Sequence, residues 1–324
     1  MQLPLNEPPA SVCLLRLSAI GDVCHTLPVL RTLQHKWPNT AFTWIVGRVE
    51  AGLIGDIPGV EFIIFDKTQG WRAYLSLRHT LRNRKFDVLL HMQIALRASV
   101  ASLFVSADLR LGFDKARAKD YQWLFTNARI ASAKQQHVMD GLFGFAEALG
   151  INNRVLEWNI PLPDEVKTRM AMLLPDQRPV LVISPCSSDR RRNWRDWSPE
   201  CYAEVADHAA EQLSLSVVLT GGPSDRERAM GDAIVRHCRS APINLIGKTN
   251  LKELLALLDR ATAVITPDSG PAHMATTVGT PVIGLYVTSN PLRTGPYHSQ
   301  QWVINHYPDA LKSELEKDVT DVPW

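Results

Sequence analysis

Val12-Cys13-Leu14-Leu15-Arg16-Leu17 runs directly into Ser18-Ala19-Ile20-Gly21-Asp22, and beyond that turn the apolar residues from Val23 through Leu33 recur at helical spacing. A short apolar run, a glycine-containing turn and an amphipathic segment make a β-loop-α unit. Strand patterns recur at Ala41–Val46, Glu61–Phe65 and Asp87–His91, separated by helical patterns at Trp71–Arg84 and Leu96–Val105. This alternation predicts a parallel sheet covered on both faces by helices.

Between Asn152 and Pro179 the pattern breaks, with Pro161, Pro163, Pro175 and Pro179 bracketing one short helical stretch. Clustered prolines between periodic segments mark a domain linker. The alternation then restarts: strands at Val180–Ser184, Ser216–Thr220, Ile243–Ile246, Ala263–Thr266 and Pro281–Tyr286, helices at Pro199–Gln212, Asp225–His237, Leu251–Arg260 and Gly270–Val278, and a terminal helix at Pro308–Lys317. The expected α/β organisation is two Rossmann-like, doubly wound domains at 1–160 and 179–306, a linker at 161–178, and a carboxy-terminal helix within 307–324 that is a candidate for packing back on the first domain. Open α/β sheets bind ligands outside the carboxyl ends of their strands, so function is expected on the loops that follow strands.

At 324 residues, 45% apolar and 21% charged, the chain can bury two cores. Arg16 interrupts the first apolar run, so neither a signal peptide nor a spanning helix is read there. Five cysteines, odd in number and never paired as C-x-x-C, argue against a disulfide framework and a thiolate zinc site and for a cytoplasmic protein. Cys24 beside His25 reads as a small core residue rather than a nucleophile, because neighbours on a helix point in different directions. Net charge is +2, yet residues 71–134 hold twelve basic and four acidic side chains. Such a segment suits an anionic ligand, whether a phosphorylated substrate, nucleic acid or membrane surface, or is simply a solvated face.

Four post-strand loops carry candidate chemistry. In Ser18-Ala19-Ile20-Gly21-Asp22 the aspartate stands at a helix start, as a cap or as a cleft-facing carboxylate. Pro185-Cys186-Ser187-Ser188-Asp189-Arg190-Arg191-Arg192-Asn193-Trp194 sets hydroxyls beside guanidinium groups, a good combination for a diphosphate. Thr266-Pro267-Asp268-Ser269-Gly270-Pro271-Ala272-His273 ends a strand and opens a helix, with Ser269 expected as N-cap, Pro271 where its missing N–H costs nothing, and free amides for an anion. Asp268 suits sugar hydroxyls or bracing of its loop, and His273 is a ligand contact or a core residue. Gly221-Gly222-Pro223-Ser224-Asp225 places a carboxylate where a ribose diol is received in dinucleotide sites.

No G-x-G-x-x-G follows either first strand, which argues against a dehydrogenase. Gly247-Lys248-Thr249 resembles the end of a P-loop, but Pro242 occupies the place of its first glycine. There is no Asp-x-Asp and no metal-ligand spacing of histidines, so no metal and no cofactor are expected.

Taken in order, Gly21-Asp22 with His25-Thr26-Leu27-Pro28, Lys134-Gln135-Gln136-His137, Ser187-Ser188, Asp268-Ser269-Gly270-Pro271-Ala272-His273 and Thr294-Gly295-Pro296-Tyr297 resemble the ADP-heptose:lipopolysaccharide heptosyltransferases of glycosyltransferase family 9. The Lys-Gln-Gln-His stretch is most similar to heptosyltransferase I, which acts on the Kdo of Kdo-lipid A. The resemblance implies a GT-B fold, an acceptor held by the amino-terminal half, ADP-heptose held by the carboxy-terminal half, and inversion at the anomeric carbon. It implies Asp22 as catalytic base, Ser187 and Ser188 as phosphate-binding hydroxyls, and Arg192 where a lysine usually steadies the diphosphate. It also places Asp225 at the ribose, Thr249 where main chain meets adenine, and Asp268, Ser269, Gly270 and His273 around the donor. The run Arg190-Arg191-Arg192 leaves the register of that loop open by one residue.

On this reading Asp22 takes the acceptor proton. Arg192, Ser187, Ser188 and the Gly270 helix amides stabilise the departing ADP without a metal. Arg97, Arg117, Lys134, Gln136 and His137 grip the acceptor's anionic groups, and the enzyme contacts the cytoplasmic face of the inner membrane peripherally, with no nucleic-acid partner. The rivals are heptosyltransferase II, another GT-B nucleotide-sugar transferase, and a non-catalytic protein that binds a nucleotide or polyanion.

Overall fold

The computed structural model describes residues 2–174, 178–187 and 194–322. The chain divides into two compact units, Met1–Pro161 and Leu162–Trp324.

In the first unit β1 (Ser11–Leu15), α1 (Ile20–Lys36), β2 (Ala41–Gly47), α2 (Arg48–Ile54), β3 (Val60–Phe65), α3 (Trp71–Thr80), β4 (Lys85–His91), α4 (Leu96–Ser102), β5 (Ser106–Gly112), β6 (Ala128–Arg129) and α5 (Val138–Ala148) follow in turn. All six strands are parallel in the order β3-β2-β1-β4-β5-β6, so the sheet reverses direction between β1 and β4. Cys13, Leu15 and Leu17 face Ala73, Leu77, Ala98 and Ala101, which places α3 and α4 together on one sheet face. On α1 every residue from Val23 to Leu30 is buried, and the helix packs against α5.

Three departures from the sequence pattern have local causes. Helix α1 begins at Ile20 rather than Val23, because Asp22 reaches back to the Ala19 amide at 3.1 Å and satisfies the first turn. Helix α3 stops at Thr80, well before Arg84; the chain turns at Asn83, whose φ of 66° lies in the left-handed region that asparagine tolerates. Strand β5 was hidden by Asp108 and Arg110. The Arg110 guanidinium turns inward and donates to the carbonyls of Val105 at 2.6 Å, Ser102 at 2.8 Å and Phe125 at 2.9 Å, so a charged residue braces the strand's surroundings.

The second unit opens with α6 (Asp164–Met172) and continues through β7 (Val180–Ile183), α7 (Pro199–Gln212), β8 (Ser216–Leu219), α8 (Asp225–His237), β9 (Ile243–Asn244), α9 (Leu251–Arg260), β10 (Ala263–Pro267), α10 (Gly270–Thr277), β11 (Val282–Tyr286), α11 (Pro291–Thr294), β12 (Ile304–Asn305) and α12 (Tyr307–Leu315). This sheet too is parallel, in the order β12-β11-β10-β7-β8-β9, and reverses between β7 and β10. The fully buried runs of β7 and β8 are what a sheet covered on both faces requires. Helix α6, within the proline-bracketed segment, is docked on α9, with Arg169 bonded at 2.6 Å to the buried Glu253.

Candidate active site

Each sheet has one point where strand order reverses, and Asp22, Ser187, Asp268, Ser269, Gly270 and His273 lie on the loops and helices that follow the strands there. In the first unit the chain leaves β1 with Arg16 buried and Asp22 two residues into α1. Arg16 Nη2 lies 2.5 Å from Asp22 Oδ2, and its Nη1 donates to the carbonyl of Met92, just past β4. Gln93 closes the other side: its Oε1 accepts the Leu17 amide at 2.7 Å and its Nε2 donates to Ser18 Oγ at 3.2 Å. Trp44 Nε1 donates to the Arg16 carbonyl at 3.1 Å. The two loops flanking the reversal are thereby tied together, and Asp22 keeps about a third of its side chain exposed. It is both a reach-back acceptor for its helix and an accessible carboxylate oriented by a guanidinium. Cys24, two residues along, is buried and its thiol is pushed up to about 12 by burial and by the charge of Asp22, so it is inert as a nucleophile.

The residues expected at the acceptor separate into two places. Arg117, Gln136 and His137 come together: Arg117 Nη1 donates to Gln136 Oε1 at 3.4 Å, and the rings of His137 and His25 meet edge-on at 5.2 Å. His137 also caps α5 by accepting the Met139 amide at 3.1 Å. A Cβ at Gly141 would stand 2.9 Å from Arg117 Nη1, so a larger residue there displaces the guanidinium. Arg117 is anchored by Asp114 and by the Ala131 carbonyl at 2.8 Å. Burial pushes Asp114 up, but Arg117 and the amides of Ala116 and Arg117 overcome it and hold the carboxyl below its ordinary range. Arg97 is elsewhere, exposed on α4, where with Ser18, Arg48, Glu50 and Lys67 it lines a cavity of about 70 Å³ beyond β1, β2 and β3. Burial pushes the Glu50 carboxyl up, against the pull of Lys67 and Arg97. Lys134 is exposed.

In the second unit, loops after β7 and β10 meet at the reversal, where the Ser184 amide donates to the Ile265 carbonyl at 2.9 Å. Ser187 is buried, and its amide and hydroxyl both donate to Asp196 Oδ1, at 2.8 and 3.1 Å. Arg226 pairs with Asp196 and donates to the Ser187 carbonyl at 2.5 Å. Across the reversal Arg195 Nη1 lies 3.3 Å from Asp268 Oδ2 and 3.2 Å from its carbonyl, so Asp268 braces its loop. Ser269 occupies the N-cap position of α10 but, contrary to expectation, makes no capping bond; its hydroxyl is 2.7 Å from that of Thr266. That exchange leaves the first amides of the helix, from Gly270 on, uncapped by it. His273 is buried on α10.

The loop after β8 is held by Glu227, whose Oε2 accepts the Gly222 amide at 2.5 Å, whereas Asp225 is exposed at the start of α8. Thr249 is half-buried in the next loop, which is joined to the glycine loop through Gly247 N to Gly221 O at 3.0 Å. Gly247 has φ 73°, in the left-handed region that favours glycine, and a Cβ there would stand a tight 3.2 Å from Pro223 Cα. Ser188 and Arg192, with Asp189, Arg190, Arg191 and Asn193, lie outside the described residues. Among the described residues no cluster of histidine, cysteine, aspartate and glutamate is arranged to hold a metal ion.

Arg16, Gln93, Asp196, Arg195, Arg226 and Glu227 were not anticipated as site residues. Arg16 had a signal, a lone charge closing an apolar strand; Gln93, Arg195, Asp196 and Arg226 are fixed by contacts distant in sequence, whereas Glu227 holds its own neighbourhood, Gly222 and Ser224.

The sequence pattern of glycosyltransferase family 9 (heptosyltransferase) matches residues 74–320. A lipopolysaccharide core heptosyltransferase, OpsX of Haemophilus influenzae, is 43% identical over 99% of this chain and 92% of its own length. The chain belongs to glycosyltransferase family 9. Family membership makes it a glycosyltransferase. Two solved structures share its fold. One is a family 9 glycosyltransferase from Veillonella parvula, with a TM-score of 0.79 at 24% identity, covering 96% of this chain and 90% of that one. The other is the E. coli heptosyltransferase WaaC with ADP, with a TM-score of 0.73 at 20% identity, covering 91% and 92%. The two Rossmann-like sheets are those of the GT-B class.

Proposed function

We propose that this family 9 enzyme transfers L-glycero-D-manno-heptose from ADP-heptose to the Kdo of the lipid A inner core in lipopolysaccharide biosynthesis, inverting the anomeric carbon, at the cytoplasmic face of the inner membrane. The observation that carries the reading is Asp22, an accessible carboxylate at the first sheet's reversal, oriented by the buried Arg16. A carboxylate in that place takes the proton of the acceptor hydroxyl as it attacks a carbon with oxocarbenium character. The Lys134–His137 stretch, with Arg117 beside it, supports an anionic sugar acceptor.

The second sheet's reversal suits a nucleoside diphosphate. Ser187, the uncapped amides at the start of α10 and Arg192 supply oriented dipoles and positive charge for the leaving group, so no divalent ion is needed. Asp225, Thr249, Asp268 and His273 contact the nucleoside and the sugar. ADP in the WaaC structure and the lipopolysaccharide core named for OpsX support the donor and acceptor classes.

The test is turnover of ADP-heptose with a water-soluble Kdo acceptor, measured as ADP release and as the mass of the product, beside a heptosylated Kdo acceptor and other nucleotide sugars. Heptose transfer to Kdo alone is expected. Preference for the heptosylated acceptor points to heptosyltransferase II, and binding of ADP-heptose without transfer points to a non-catalytic protein; either overturns the proposal.

A further inference from the structure

Helices α3 and α4 share one face of the first sheet, and both turn apolar residues outward. On α3 the exposed stripe runs Trp71, Leu75, Arg78 and, just past the helix, Arg82, spaced four, three and four residues apart and therefore on one side. Trp71 is 67% exposed, and α3 contains no acidic residue. On α4 and its C-cap, Leu96 and Leu103 stand two turns apart, also exposed. The 3₁₀ turn Gln122–Phe125 abuts the start of α4: Asp120 accepts the Leu96 amide at 3.2 Å, and Tyr121 and Trp123 meet edge-on at 6.5 Å, with Leu124 also outward. The exposed bases Lys115 and Lys119 lie in the loop before that turn.

Singly exposed apolar residues are ordinary, but three tryptophan- or leucine-bearing elements on one side, edged by arginines and lysines, are not. Aromatic rings and leucines reach the boundary between headgroups and acyl chains, while arginines beside them pair with lipid phosphates. Among the described residues no helix is long and apolar enough to cross a membrane, so contact through this face is interfacial. We propose that the α3–α4 face, with the Tyr121–Leu124 turn, is the surface by which the enzyme docks on an anionic lipid bilayer. This rests on the lipid-linked acceptor of the proposed function and deepens it by naming the docking face and its lipid charge.

The test uses the full chain with vesicles of phosphatidylcholine alone and of phosphatidylcholine mixed equally with phosphatidylglycerol, read by co-sedimentation. The parent protein is expected to bind the anionic vesicles at least about thirtyfold more tightly. Arg78→Ala with Arg82→Ala should weaken that binding by about thirtyfold, two surface cations' worth. Trp71→Ala with Leu75→Ala should lower binding that persists at high salt, while Leu213→Ala, an exposed leucine of the second unit, changes neither. Both double variants should keep parental turnover with the water-soluble acceptor. Equal binding to the two vesicle types, parental binding by both double variants, or lost turnover in them overturns the docking face. Failure of the parent to use the soluble acceptor would instead overturn the proposed function and leave the vesicle result standing.

Discussion

The two sheet reversals are built alike and furnished differently. At the first, a guanidinium from the strand holds a carboxylate that keeps a third of its surface in solvent. At the second, the carboxylates of Asp196, Asp268 and Glu227 are turned onto loop amides, hydroxyls and arginines, and the first amides of α10 are left uncapped by Ser269. On the proposed function the same topology thus presents a base on one sheet and anion-binding dipoles on the other. The strand order decides where a site lies; the partner each carboxylate takes decides its chemistry.

Asp22→Asn removes the base without removing the bulk. It is expected to lower kcat by on the order of a hundredfold or more with ADP affinity unchanged, measured by steady-state turnover and calorimetry. A normal kcat would reduce Asp22 to a helix cap and erase the contrast. Asp196→Ala frees Ser187 and leaves Arg226 without its carboxylate, and should weaken ADP binding by about tenfold or more while the enzyme that does bind donor turns over at nearly the parental rate. Arg16→Lys keeps a charge but not the two-armed link to Asp22 and Met92; kcat should fall by about tenfold, with KM for donor unaffected. If Arg16→Lys instead weakens ADP binding, the division of labour between the two reversals is wrong.

A smaller effect appears with pH. His91 is buried at the end of β4, its pKa lowered to about 3 by burial and then by Arg110. A histidine depressed in the folded state takes up its proton first in the unfolded chain. Its contribution is therefore complete above the ordinary value of 6.5 and is lost as pH falls from there toward 3, at about 1.4 kcal/mol per pH unit. Denaturant unfolding from pH 7 to pH 4 should show this slope in the parent and a shallower one in His91→Gln; parallel curves would contradict it. The smallest expected effect is none: chelation by EDTA should leave the initial rate with a soluble acceptor unchanged, because fixed charge and amides take the ion's place. Loss of turnover restored by one divalent ion would break the metal-free reading.

Much of this was legible in the chain. The alternation around Val12–Asp22 and again from Val180 shows two parallel sheets, because buried parallel strands are nearly continuous apolar runs. Strand β5 and helix α5 were not, since Arg110 and Asp108 disguise the first and α5 is apolar nearly all round, a pattern without a period. At the sites, loop positions such as Asp22, Ser187 and Asp268 could be picked from their places after strands. Their partners could not: Arg16 to Met92 and Asp196 to Arg226 span 76 and 30 residues, and only the fold brings them together.

The most direct measurement is the stereochemistry of the transfer. A single carboxylate that deprotonates the acceptor allows one in-line displacement, so the heptoside formed from ADP-heptose and the soluble Kdo acceptor must carry the opposite anomeric configuration to the donor, as read by NMR of the isolated product. Inversion by the parent enzyme, with Asp22→Asn forming the same product far more slowly, is the predicted result. A product with retained configuration would require a second displacement that Asp22 alone does not provide, and would contradict the account.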